Sequence, residues 1–99
     1  MAEPEAPQVQ IKADEKELMA PYSNLVMIHH NAEEFTLHFV YVLTNAAHGK
    51  LVSSAILSPG HAKRLWRALG ENISRYESQF GSIREALAPA PPSDIGFVQ

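Results

Sequence analysis

The spacing of apolar residues along the chain changes once, near residue 58. From Pro59 to about Phe80 the apolar positions Ala62, Leu65, Leu69, Ile73, Tyr76 and Phe80 step by three or four, which makes one stripe along an amphipathic α-helix. Both ends carry punctuation: Ser58 suits the N-cap, Pro59 the first helical position, and Gly81 the left-handed stop after the last turn. Upstream the period is two. The β-branched and aromatic runs Tyr22–His30, Glu34–Thr44 and Lys50–Leu57 predict three strands. The short polar or Gly-ending connections 31–33 and 45–49 predict antiparallel hairpins. A weaker run, Gln8 to Lys12, alternates Val9 and Ile11 with polar residues and predicts a fourth strand at the edge, blunted by Lys12.

Turn lengths suggest a register in which Met27 faces Leu37, Leu25 faces Phe39, Phe39 faces Ala55 and Leu37 faces Leu57. Odd-numbered residues then form one face, with Phe35, Leu37 and Phe39 beside small Ser53 and Ala55, and the helix stripe is its natural cover. The even-numbered face carries Val26, Ile28, His38, Val40, Val42, Val52 and Ile56 and no charge at all. An antiparallel sheet with one helix layer normally shows water a polar outer side. Its Val and Ile side chains would instead make a patch on the order of several hundred Å², more than soluble monomers usually expose. The same face of a second copy is the simplest cover, so these seven residues are the expected dimer interface.

Charge strengthens that expectation. The 99 residues carry a formal net charge of −3, yet the 45 residues from Leu18 to Ala62 hold only Glu33, Glu34 and Lys50. The chain is long enough for one small domain, expected over 8–83, between a disordered tail at 1–7 and a Pro/Ala-rich flexible tail at 84–99. The apolar end Ile95 to Gln99 has no assigned role. There is no cysteine, no long apolar run and no basic leader, which fits a cytoplasmic protein without a membrane partner.

Candidate chemistry is sparse. His29 and His30 alternate across a strand and cannot chelate one ion, and His38, His48 and His61 lie in separate runs, so no metal and no cofactor is expected. Ser53 and Ser54 sit within a strand and Ser58 reads as a cap, so no nucleophile, base and orienter come together and no enzyme is expected. His38 copies near a two-fold axis would make assembly pH-sensitive. Lys63, Arg64 and Arg67 cluster beside Trp66 in the first half of the helix, where they suit an unidentified protein partner or, as the rival, phosphates and a stacked base of nucleic acid. Overall acidity weighs against that rival.

The ordered set Tyr22-Ser23-Asn24, Glu34-Phe35 with Leu37 and Phe39, Ser58-Pro59 with His61 to Leu65, and Asn72-Ile73 with Tyr76, Glu77, Phe80, Gly81 and Ile83 resembles the family catalogued as domain of unknown function 3467. The resemblance spans about residues 8–83. It implies a small standalone bacterial protein and brings no activity, cofactor or catalytic residue with it. Where that family's pattern carries a basic residue near the end of the third strand, this chain has Ser54.

The expected architecture is thus α+β: an antiparallel sheet of three or four strands, a C-terminal helix packed on one face, and a homodimer formed through the other. The expected function is a non-enzymatic homo-oligomeric protein-binding or scaffold module. The alternatives are a nucleic-acid-binding dimer and a chaperone-like binder of extended segments.

Overall fold

The computed structural model describes residues 8–43 and 48–85. Its elements run α1 (Glu15–Leu18), β1 (Leu25–His30), β2 (Phe35–Val42), β3 (Gly49–Leu57) and α2 (Pro59–Phe80). The strands form one antiparallel sheet in the order β1-β2-β3. The expected edge strand over Gln8 to Lys12 is absent: the segment has no strand pairing and Val9 and Ile11 stand exposed. The chain instead makes the single turn of α1, where the Asp14 amide donates to Glu17 Oε2 at 3.3 Å. The two predicted tails and the Ile95 to Gln99 segment fall outside the described residues, except for 84–85.

The helix has the bounds and caps that its sequence predicts. Ser58 Oγ accepts from the His61 amide at 3.2 Å, Pro59 occupies the first turn, and Gly81 takes φ 93° while its amide donates to the Glu77 carbonyl at 2.9 Å. A side chain at that φ would be strained, so glycine is required there. Glu77 closes the same end a second time, its Oε2 accepting from the Ile83 amide at 2.8 Å.

Packing departs from expectation. Ser58 is the sole residue between β3 and α2, held extended at φ −67° and ψ 157° and pinned by its own cap. A connection this short sends α2 off the end of the sheet instead of back across it. Its approaches to the sheet are almost confined to β3, the strand it follows, and no α2 residue is buried. The helix therefore follows the sheet without covering the face that the pattern assigned to it.

Register is the second departure. β1 and β2 pair as Leu25 with Val40, Met27 with His38, and Ile28 with Leu37, one residue away from the expected pairing. Asn31 causes the shift. Its Oδ1 accepts from the amides of Glu33 and Glu34 at 2.8 and 3.0 Å, and its own amide donates to the Glu34 carbonyl at 3.0 Å. This Asx turn closes a loop of four residues, 31–34, where the pattern suggested three. Because side chains alternate with period two, one extra loop residue turns β1 over relative to β2.

The second hairpin keeps its parity but slips by two residues, Leu37 standing opposite Ala55 and Phe39 opposite Ser53 where Leu57 and Ala55 were expected, until a register shift next to Val40 leaves Val52 without a partner. Gly49 sits opposite Val42 because nothing larger fits. A Cβ there would lie 2.7 Å from Val40 Cγ1 and 3.1 Å from Val42 Cγ2.

Candidate functional site

The register sorts the sheet into two unlike faces. One, the aromatic face, carries Phe35, Leu37 and Phe39 in the centre, Val26 and Ile28 on β1, and Ser53 and Ala55 on β3. His30 stacks on Phe35 at its corner, with ring centroids 5.3 Å apart. The other, the histidine face, carries His29 and His38 edge to face at 5.7 Å, with Met27, Val40 and Ile56 around them.

This corrects the expected dimer interface. Its seven residues do not share a face: His38, Val40, Val42 and Ile56 lie on the histidine face, Val26 and Ile28 on the aromatic face, and Val52 at the bulge. The cause is the extra residue in the Asn31 turn. Val40 is also buried within the single chain, together with Met27 and, on the aromatic face, Leu37. Large apolar side chains remain exposed on both faces: Leu51 and Ile56 on one, Val26 at 42% and Ile28 at 56% on the other.

Asn24 locks the open end of the first hairpin. Its backbone amide donates to the Val40 carbonyl at 3.1 Å, its Nδ2 donates to the Val42 carbonyl at 2.7 Å, and its Oδ1 accepts from the Val42 amide at 2.8 Å. The side-chain amide thus stands in for one more backbone pair of the ladder. Tyr22 adds an edge contact to the ring of Tyr41 at 5.8 Å. The Tyr22 to Asn24 segment, which the pattern placed inside the first strand, thus lies ahead of β1 and fixes its start.

One pair has the geometry of a hydroxyl and its base: His38 Nδ1 and Ser54 Oγ are 2.8 Å apart across β2 and β3. Among the described residues no further hydrogen bond orients the imidazole, and no cluster of three metal-ligating side chains occurs. What the pair does directly is tie the central strand to β3 through side chains. No helix among the described residues is long and apolar enough to cross a membrane.

α2 leaves an extended apolar surface uncovered. At about 100° per residue, Ala62, Leu65, Leu69, Ile73, Tyr76 and Phe80 fall within one stripe, and Tyr76 and Phe80 touch with centroids 4.9 Å apart. Trp66 belongs to this stripe. It lies about 40° from Ala62, whereas Arg64 and Arg67 lie about 160° and 140° away on the opposite side of the helix and Lys63, at about 100°, on the flank. The basic cluster and Trp66 are thus all exposed, but they face different ways. Trp66 is 69% exposed and Phe80 71%.

No curated protein and no solved structure matches the chain. A family profile matches residues 1–85, a span that includes the Tyr22 to Asn24 lock, both hairpins, the capped helix and the Glu77 closure. The chain belongs to the protein family of unknown function DUF3467.

Proposed function

We propose that this protein is a non-enzymatic scaffold module of the cytoplasm that works as a homo-oligomer, a dimer in the simplest case, and presents the basic side of α2 to another protein. One observation carries the reading: a 22-residue helix with a continuous apolar stripe that buries no residue in its own chain. Isolated helices of this length are marginal in water, and most helical stability in proteins comes from packing an amphipathic face. Gly70 in its interior lowers the intrinsic propensity further. A second copy supplies the missing cover. Lys63, Arg64 and Arg67 stay outside the stripe and remain free to meet an acidic partner surface.

Size exclusion with light scattering at micromolar concentration tests the assembly, with a dimer expected and a sharply monomeric profile overturning it. The partner class is tested on the same sample. A salt-sensitive shift of labelled nucleic acid, lost when Lys63, Arg64 and Arg67 are neutralised together, would assign the basic side to phosphates instead of protein.

A further inference from the structure

Two apolar surfaces on this chain are complementary and do not meet. The α2 stripe, from Leu65 to Phe80, is about 22 Å long at 1.5 Å per residue. The aromatic face runs about 20 Å along β2 from Phe35 to Tyr41 at 3.4 Å per residue and is apolar as far as Phe39, since Tyr41 stands opposite Lys50. Its relief suits a helix, because small, exposed Ala55 and Ser53 on β3 leave a trough beside half-buried Phe39 and buried Leu37 of β2. The histidine face suits it less well, having His29, His38, Thr36 and Ser54 at its centre.

Within one chain the connection prevents the meeting. Ser58 alone joins β3 to α2, and its cap and Pro59 hold the exit direction. We infer that two copies exchange their helices, the α2 stripe of each lying on the Val26, Ile28, Leu37 and Phe39 face of the other. This inference rests on the homo-oligomeric reading above and names its geometry.

Coverage distinguishes exchange from the other two-fold arrangements. Stacking sheet on sheet leaves both helix stripes bare, and pairing helix with helix leaves Val26 and Ile28 of both aromatic faces exposed. Reciprocal exchange covers both surfaces with one partner and closes at two copies, as an isologous interface must. The area is adequate. The exposed fractions of Leu65, Trp66, Leu69, Ile73, Tyr76 and Phe80 amount to on the order of 600 Å² per helix, and Val26 with Ile28 add roughly 200 Å². That is about 800 Å² per partner, the size of a standard stable interface.

The absence of cysteine from the sequence makes a clean crosslinking test available. Chains carrying Ser53→Cys are mixed with chains carrying Leu69→Cys, both exposed positions, and treated with a short bis-maleimide. Exchange predicts a Ser53-to-Leu69 crosslinked heterodimer as the dominant product. A dominant product between two Leu69→Cys chains would mean helix pairing. A dominant product between two chains carrying Ser54→Cys, run in parallel, would mean stacking on the histidine face. Either would overturn the exchange while leaving the dimer intact.

A monomer in light scattering would overturn both. The unmodified protein gives a second readout, since Trp66 is the only tryptophan. Its emission should be blue-shifted in the dimer and move to the red on dilution. A fully solvated emission from a confirmed dimer would overturn the exchange.

Discussion

Replacing Asn24 isolates one side chain's share in holding the first hairpin together. Its amide makes two hydrogen bonds to the backbone of Val42, one as donor at 2.7 Å and one as acceptor at 2.8 Å. A hydrogen bond in a protein contributes about 0.5–1.5 kcal/mol net, and the exposed site lets water replace a lost partner. Asn24→Ala should therefore cost about 1–2 kcal/mol. Asn24→Asp is the sharper probe. It keeps the acceptor for the Val42 amide but sets a second acceptor against the Val42 carbonyl, so the loss should rise to about 2–3 kcal/mol at neutral pH.

That extra loss belongs to the ionised carboxyl. Protonation restores a donor, and the folded state raises the introduced carboxyl's pKa above its unfolded value of about 4, so the Asp variant should regain stability as pH falls from above that value, fully below about 4, and overtake the Ala variant. Urea unfolding followed by circular dichroism measures it, at one fixed protein concentration because the proposed assembly would make stability concentration-dependent. An Asp variant as stable as wild type at neutral pH would refute the reasoning, because the donor bond to Val42 would then contribute nothing.

Three further substitutions test other parts of the fold. Gly49→Ala places a methyl 2.7 Å from Val40 Cγ1, and the stiff β-branched neighbours should make it cost about 1–3 kcal/mol in the same unfolding assay. Asn31→Ala removes the acceptor for two loop amides and should cost about 1 kcal/mol; cross-strand amide contacts by NMR would show whether the Ile28 to Leu37 pairing survives. Gly70→Ala meets no atom within 4 Å and should stabilise the helix by about 0.5–1 kcal/mol. Destabilisation there would mean that a partner backbone passes close to Gly70.

The helix was readable from its residues because its determinants are local. Ser58, Pro59 and Gly81 act within one turn of their own positions, and the structure begins and ends α2 at the predicted residues. The strands were readable as elements for the same reason. Their faces were not, because the pairing of β1 with β2 depends on a single loop residue, and that residue is added by a side-chain hydrogen bond from Asn31. The Asn itself was visible, and an Asx turn two and three residues on is its usual behaviour.

The interface expected across Val26, Ile28, Val40 and Ile56 separated onto two faces through that one step. Helix packing was illegible for a different reason. The stripe shows an apolar side that its own sheet leaves uncovered, and the one-residue connection at Ser58 that keeps the two apart is a geometric constraint without periodicity. Trp66 moved the other way: grouped by sequence proximity with Lys63, Arg64 and Arg67, it is placed by helical geometry with Leu69 and Ile73.

On the proposed reading, another copy of the chain covers α2. Sedimentation equilibrium on wild type and on the Leu69→Asp, Ile73→Asp double variant tests it most directly, with circular dichroism on the same samples. Wild type should sediment at twice the chain mass across micromolar concentrations. The variant should fall to the single-chain mass with reduced helicity, since an uncovered helix is marginal in water. A wild-type chain that sediments as a monomer with α2 fully helical would mean that the helix needs no second copy.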